Sequence, residues 1–225
     1  MSALNHKENL ELARFNMVAQ QIAPWNLFDG KVLAAMQQVP REAFVPAAFA
    51  NLAFSDCELP LNATESMMFP RVEARMLQSL AINAEDQILE IGTGSGFVTA
   101  LLAHLGSHVT SVEIDAALST SAAEKLQAHT RGNYTLAIGD AAEGWEATRQ
   151  FDVIALTGSL PLLPEAYKQQ LSVGGRLFVV TGASPVMQAS VITRTDHHRW
   201  QSEALFETVL TPLHHRQRQS NRFIL

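Results

Sequence analysis

The chain has 225 residues and a formal net charge of −6, and 47% of its residues are hydrophobic against 17% charged. This composition excludes a disordered or fibrous protein and predicts one α/β unit with a substantial core. The acidic balance argues against nucleic acid as a partner, because nucleic-acid binding needs a clustered basic surface, and it favours a small molecule or a peptide.

Cys57 is the only cysteine, so the chain can form neither an intrachain disulfide nor a cysteine-cluster metal site. We expect Cys57 to be a small, partly buried apolar residue rather than a catalytic thiol. The N-terminus lacks the apolar core of a secretion signal, and no apolar run approaches the ~20 residues of a membrane span. We therefore expect a monomeric, cytoplasmic protein with no membrane partner.

The first part of the chain has the pattern of several helices. Apolar residues recur there at spacings of three and four, as in Leu12, Phe15 and Val18 and again in Val32, Leu33 and Met36. Asp29 is the predicted N-cap of the second helix, and Pro70 is the predicted first residue of a third. These segments predict an N-terminal helical extension over residues 1–80.

The second part of the chain alternates short apolar runs with helical segments. The runs are QILEIG, HVTSVEI, YTLAIG, FDVIALTG and RLFVVTG, with FVTALLAHLG, LSTSAAEKLQAHT and LPEAYKQQL between them. Continuous apolar runs separated by helices indicate strands buried on both faces, and hence a doubly wound, mostly parallel α/β sheet. After Gly182, ASVITRT and WQSEALFETVL predict a final hairpin. We expect residues 81–225 to form the core of a single compact unit.

The stretch ILEIGTGSGF, residues 88–97, places Gly92, Gly94 and Gly96 directly after the first of these strands. A strand, a tight glycine turn and a helix bring backbone N–H groups and a helix N-terminus against a ligand. A simple strand-to-helix turn needs only one glycine, so this loop favours a nucleotide-like cofactor.

The spacing and charge of the loop distinguish between cofactors. Dinucleotide sites have the pattern G-x-G-x-x-G, but here the pattern is G-x-G-x-G, and Phe97 occupies the position of the last glycine. Glu90, just ahead of the loop, would repel a pyrophosphate and attract an ammonium or sulfonium group. The loop therefore disfavours a nicotinamide dinucleotide and favours S-adenosylmethionine.

Two acids end the next two predicted strands. Glu113 ends HVTSVEI, and a carboxylate there can accept both ribose hydroxyl protons of an adenosine. Asp140, in GDAAEGW, can accept a hydrogen bond from the adenine amino group. The alternatives are a solvated strand-end charge for Glu113 and an ordinary turn residue for Asp140.

Several motifs together resemble class I S-adenosylmethionine-dependent methyltransferases, and more narrowly the protein-L-isoaspartate O-methyltransferase family. The motifs are VPREAFVP, ELPL, ILEIGTGSGF, SVE, GDAAEGW, FDVIALTG and QLSVGGRLFVVTG. The resemblance implies a seven-stranded Rossmann-like sheet and an enzyme that methylates L-isoaspartyl or D-aspartyl residues of damaged proteins. By position, the resemblance implies that Glu90, Gly92 and Gly94 contact the methionine part of the cofactor, Glu113 the ribose, and Asp140 and Ala141 the adenine. Gly96 is a further cofactor-binding candidate in the loop.

The segment LNATESMMFP departs from the family pattern G-x-G-Q-T-I-S-Q-P, and Met68 stands where the family has a serine. A carboxylate with a pKa of about 3.9 is already ionised at neutral pH, so its methylation needs orienting donors rather than a general base. Ser66 is the candidate catalytic donor and Thr64 the second. The alternative is that both hydroxyls only cap the turn before Pro70.

The altered segment leaves two further functions open. One is a methyltransferase of the same fold that acts on another carboxylate or on a small molecule. The other is a cofactor-binding module without catalysis. A nucleic-acid methyltransferase is disfavoured, because ALTGSL replaces the Asn-Pro-Pro-aromatic segment typical of amino-group methylation of bases.

The histidines predict no metal site. His197 and His198 lie in a predicted hairpin turn, and His214 and His215 begin a basic tail, HHRQRQSNRFIL. Neighbours in sequence rarely form a complete site, and no nearby acid cluster completes one. We interpret the tail as a mobile chain terminus.

Overall fold

The computed structural model of the chain describes residues 3–214, which form helices around a seven-stranded sheet. The helices are α1 (Ala3–Asn16), α2 (Gly30–Gln38), α3 (Arg41–Phe44), α4 (Pro70–Leu80), α5 (Phe97–Leu105), α6 (Ala116–His129) and α7 (Glu165–Gln169), with a π-helical turn at Met17–Ile22 and a 3-10 turn at Ala47–Leu52. A short hairpin consists of β1 (Leu59–Pro60) and β2 (Ser66–Met67). The strands of the main sheet are β3 (Gln87–Ile91), β4 (His108–Glu113), β5 (Tyr134–Ile138), β6 (Phe151–Leu156), β7 (Leu171–Ala183), β8 (Val186–Asp196) and β9 (Arg199–Glu207).

The sheet has the strand order β5-β4-β3-β6-β7-β8-β9. The strands from β3 to β7 pair in parallel, and β8 and β9 add antiparallel to the β7 edge. The chain leaves β3 towards β4 and β5 and then crosses to β6 on the other side, so the strand order reverses at β3. Ligands bind outside the carboxyl ends of the strands at such a point. The predicted doubly wound, mostly parallel sheet and the predicted final hairpin are confirmed.

The two faces of the sheet are buried in different hydrophobic clusters. One face contributes Ile88, Val153 and Phe178, and the other contributes Leu89, Ile154 and Leu177. The first cluster includes residues of α2, α4, α5 and α6, and the second includes Tyr167 of α7. Burial on both faces is why these strands are continuous apolar runs rather than alternating ones.

The N-terminal helices begin where the sequence predicts. The Asp29 side chain accepts hydrogen bonds from the amides of Lys31 (2.8 Å) and Val32 (3.4 Å), which confirms it as the N-cap of α2. Pro70 is the first residue of α4, also as predicted. α2 packs against α4 and α5, and α4 packs against β7. The division into an N-terminal extension and a core at residue 80 stays a prediction. One hydrophobic cluster contains residues from both sides of that boundary, so the two parts share a core.

The two remaining structural predictions are the absence of a membrane span and the mobility of the C-terminal tail. No helix within residues 3–214 is long and apolar enough to cross a membrane. The basic tail beyond His214 lies outside the described residues.

Candidate active site

The glycine loop between β3 and α5 has three left-handed residues. The φ angles of Gly92, Gly94 and Gly96 are +98°, +52° and +85°, a conformation that other residues rarely adopt. Gly92 and Gly94 line a cleft at the carboxyl ends of β3, β4 and β6. A Cβ on Gly96 would instead lie 3.1 Å from the Cβ of Ala122, so this glycine allows α5 to pack against α6. The loop thus divides its glycines between ligand access and helix packing.

Glu113, at the end of β4, lines the same cleft and holds the loop in place. Its Oε2 accepts a hydrogen bond from the Gly94 amide at 2.8 Å, and its Oε1 accepts one from the Asp115 amide at 3.0 Å. The residue is only 6% exposed. Each carboxylate oxygen has a second lone pair, so Glu113 can still accept two hydroxyl donors from the cleft.

Glu90 lies beneath the loop and is not among the residues that line the cleft. Its Oε2 accepts hydrogen bonds from the hydroxyls of Thr99 on α5 (2.5 Å) and Ser111 on β4 (2.6 Å). Complete burial raises the pKa of Glu90 to about 8, although both hydroxyl bonds oppose the rise. The carboxyl group therefore ties β3, β4 and α5 together under the loop.

The turn after β5 forms the end of the cleft beyond Glu113. Gly139 and Ala141 line the cleft, and Ala141 is buried. The side chain of Asp140 accepts a hydrogen bond from the Ala142 amide at 3.1 Å, which fixes the turn. The buried Tyr167 of α7 donates its hydroxyl to the Ala141 carbonyl, so this wall of the cleft is anchored to the core.

The β1–β2 hairpin covers the opposite end of the cleft. Ser66 is half-buried and lines the cleft, whereas Thr64 is exposed at the hairpin turn and donates its hydroxyl to Asn62 at 3.2 Å. Met67 and Met68 are 4% and 5% exposed and belong to the main hydrophobic cluster. The structure therefore brings Ser66, but not Thr64, to the glycine loop.

A C-terminal segment, residues 211–214, completes the cleft and is absent from the sequence-based site. The Ser159 amide donates to the Thr211 carbonyl and the Leu213 amide to the Ser159 carbonyl, both at 2.9 Å. The Leu213 side chain lies so close to Gly158 that a Cβ there would be 2.6 Å from its Cδ2. Gly158, in the predicted run FDVIALTG, is the one sequence signal that marks this contact.

The mouth of the cleft is acidic. Glu65, at the end of the hairpin turn, lies against Nε2 of His214, and the two form an ion pair when the imidazole is protonated. Burial raises the pKa of Glu65; His214 lowers it, while Glu113 and Asp115 raise it further. Carboxylates around a partly buried cleft favour a cationic ligand over an anionic one.

These residues fit S-adenosylmethionine. Gly92 and Gly94 expose backbone where a side chain would intrude, and Glu113 offers a carboxylate with two oxygens at the middle of the cleft. The apolar side chains of Ile114, Leu118 and Ala141 line the part next to Glu113, where a flat adenine ring can pack. The acidic mouth suits the sulfonium charge.

The described residues contain no group of three or more His, Cys, Asp or Glu side chains that can hold a metal ion. His197 lies in the turn between β8 and β9, away from the residues that line the cleft.

Comparisons with known proteins identify relatives along nearly the whole chain. A family profile described as protein-L-isoaspartate(D-aspartate) O-methyltransferase matches residues 15–218. Protein-L-isoaspartate O-methyltransferase 1 of Rhodopseudomonas palustris (strain HaA2) is 39% identical over 201 residues, which cover 89% of this chain and 82% of the relative. Protein-L-isoaspartate O-methyltransferase 1 of Geotalea uraniireducens (strain Rf4) is 37% identical over 211 residues, which cover 93% of this chain and 96% of the relative.

A solved structure is similar in fold. It is a Plasmodium falciparum protein, assigned as a protein-L-isoaspartate O-methyltransferase, in complex with S-adenosyl-L-homocysteine. The TM-score is 0.79 at 17% identity, over 89% of this chain and 98% of that one. At this identity the likeness supports the fold alone.

Proposed function

The chain belongs to the protein-L-isoaspartate O-methyltransferase family, and from this premise we propose that it methylates L-isoaspartyl, or D-aspartyl, residues of damaged proteins. It is accordingly an enzyme that uses S-adenosylmethionine. One observation carries the assignment of this cleft: Glu113 meets the glycine loop at the point where the strand order reverses. When bound, the cofactor supplies an electrophilic methyl group on a cationic sulfur.

The cofactor is proposed to lie along the cleft with its adenosine towards β4 and β5. The Glu113 carboxylate accepts the ribose hydroxyls, and Asp140 and Ala141 form the adenine end. The backbone of Gly92 and Gly94 faces the methionine part, and Gly96 contributes by packing α5 on α6. Glu90 is proposed to support this part indirectly, through its bonds to the Thr99 and Ser111 hydroxyls.

The substrate carboxylate is proposed to enter beside Ser66. An ionised carboxylate needs no general base, so the chain must align it with the methyl group to within about 3–3.5 Å and exclude water. The Ser66 hydroxyl is the donor best placed to orient it, since it lines the cleft. Thr64 stays the second candidate, and its exposed position makes it the natural comparison.

A second substrate class is favoured by one observation. Glu65 places a carboxylate at the mouth of the cleft, where it disfavours an anionic substrate unless His214 neutralises it. This observation favours a neutral small molecule as the alternative substrate, whereas a different carboxylate, the other alternative, would meet the same repulsion. A protein substrate, a monomeric state and a cytoplasmic location without membrane partners complete the main proposal. The acidic composition supports the absence of a nucleic-acid partner.

The test is methyl transfer from radiolabelled S-adenosylmethionine to an isoaspartyl peptide and to its aspartyl twin. Labelling of the isoaspartyl peptide alone supports the proposal. Equal labelling of both peptides contradicts repair specificity. Cofactor binding without labelling of either peptide favours the alternative substrate or a module without catalysis.

A further inference from the structure

A recess that Glu113 does not line continues the cleft at the glycine loop. It shares Leu61, Ser66, Gly92 and Gly94 with the cleft and extends to Glu73 on α4. Glu73 is the one charged side chain among the described residues that line the recess. A buried charge at the end of a ligand cleft needs a counter-ion or a ligand to offset its desolvation.

Glu73 has only part of its charge satisfied by the protein. Its Oε2 accepts a hydrogen bond from Nη1 of Arg41 at 2.5 Å, and both side chains are buried, at 1% and 0% exposure. Arg41 also donates to the Met68 carbonyl at 3.3 Å. Oε1 of Glu73 accepts no hydrogen bond from any residue in the described part of the chain. One oxygen of this carboxylate therefore has no donor among the described residues, and Glu73 itself lines the recess.

The order of groups along the cleft places an amino-acid end at this recess. If Glu113 takes the ribose and the turn at Ala141 takes the adenine, the remaining part of the cofactor extends past Gly92 and Gly94 in the opposite direction. That part carries an α-ammonium and an α-carboxylate group. Glu90 was the acid expected there, but it does not line the recess or the cleft.

We propose that Glu73 is a cofactor-binding residue whose carboxylate receives the α-ammonium group of the methionine part. This inference rests on the proposed function and names the residue that holds one end of its cofactor. The recess also offers donors for the α-carboxylate, namely the amides of Thr93 and Ser95, which donate to no described residue.

The electrostatics of Glu73 agree with a second cation. Burial raises the pKa of Glu73 to about 7, although Arg41 lowers it through charge and a hydrogen bond. Asp56 adds a smaller effect that raises the pKa. One guanidinium group thus leaves the carboxylate incompletely stabilised, and an ammonium group in the recess would complete the stabilisation.

The test compares two ligands by titration calorimetry at pH 8. S-adenosylhomocysteine carries the amino-acid end, and 5′-methylthioadenosine keeps the adenosine and the sulfur but lacks that end. We expect Glu73→Gln to weaken S-adenosylhomocysteine binding at least tenfold and to leave 5′-methylthioadenosine binding within twofold of wild type. Asp86→Asn is the matched control, because Asp86 forms a part-buried ion pair with Arg176 (2.6 Å) outside the cleft, and it should change neither affinity.

Three results would overturn the inference. Unchanged S-adenosylhomocysteine affinity in Glu73→Gln removes the contact, and equal weakening of both ligands assigns Glu73 a structural role only. If Glu73→Gln does not fold, wild-type protein is titrated with S-adenosylhomocysteine and with its desamino analogue, and equal affinities refute the contact. If wild-type protein binds neither ligand, the proposed function itself fails, which is a different outcome from the first two.

Discussion

Replacing Glu113 by Gln tests the assignment of the ribose site. In the structure the carboxylate already accepts the amides of Gly94 and Asp115, one on each oxygen. A glutamine keeps one oxygen but presents an NH₂ group where the other oxygen accepts hydrogen bonds. The substitution therefore removes one acceptor for a ribose hydroxyl and leaves the remaining oxygen without its negative charge. The shape of the side chain is retained.

The expected loss follows from the strength of these hydrogen bonds. A hydrogen bond to a charged group contributes about 1.5–3 kcal/mol, against about 1 kcal/mol for a neutral one. Losing one bond to the charged group and weakening the other costs about 2–3 kcal/mol, which corresponds to a dissociation constant raised roughly 30- to 150-fold. S-adenosylhomocysteine and 5′-methylthioadenosine should lose the same factor, because both contain the ribose.

Titration calorimetry with both ligands measures this loss, and thermal unfolding of the ligand-free variant shows whether the loop anchor is still in place. Glu124→Gln, on the exposed side of α6, is the control and should bind both ligands as wild type does. A change of less than threefold for Glu113→Gln would refute the ribose assignment. A loss confined to S-adenosylhomocysteine would place the amino-acid end, rather than the ribose, at Glu113.

Three further predictions concern the loop and its support. Gly92→Ala should lower the free energy of unfolding by about 2–4 kcal/mol in urea titrations, because the backbone is left-handed and the new Cβ would lie 2.3 Å from Oγ1 of Thr157; wild-type stability would contradict this. Glu90 should lower the stability of the wild type by up to ~1.4 kcal/mol per pH unit as pH rises from the ordinary Glu value of 4.5 to about 8, because it stays protonated only in the folded state. Glu73, whose pKa is raised to about 7, adds to this slope below that pH. Glu90→Gln should therefore reduce the slope below about pH 7 and flatten it between about 7 and 8, and an unaltered slope would assign it to other groups. Ser66→Ala should lower kcat/KM for an isoaspartyl peptide roughly 10- to 100-fold at unchanged S-adenosylhomocysteine affinity, whereas Thr64→Ala should stay within twofold; the reverse ranking would exchange their roles.

The sequence predicts the sheet and the helix starts because these depend on local patterns. Parallel strands buried on both faces need continuous apolar runs, and each run from QILEIG to RLFVVTG forms a strand. Asp29 and Pro70 begin helices through backbone chemistry within one turn of their own position. The end of β4 likewise places Glu113 at the cleft, because parallel strands end at the same edge of the sheet.

Strand alternation explains why Glu90 lies beneath the loop. Leu89 and Ile91 face the cluster beside α7, so residue 90 must point to the opposite face, under α5. The alternation along the strand therefore predicts the side to which Glu90 points. The expected contact of Glu90 with the cofactor rests on its charge and on its distance from the first glycine, and it stays a prediction.

The remaining parts of the site depend on contacts between distant segments. Leu213 reaches Gly158 because the chain returns to the cleft after β9, and no periodic pattern in LTPLH predicts that return. Glu73 has the sequence context of an ordinary helical residue. Only the packing of α4 against the glycine loop, together with the buried Arg41, places its carboxylate at the recess.

The most direct test of the account is a crystal structure of this chain with S-adenosylhomocysteine. We expect both ribose hydroxyls within hydrogen-bonding distance of the Glu113 carboxylate, the adenine ring beside Ala141, and the amino-acid end beneath Gly92 and Gly94. Ligand density elsewhere, or a ribose that does not touch Glu113, would contradict it.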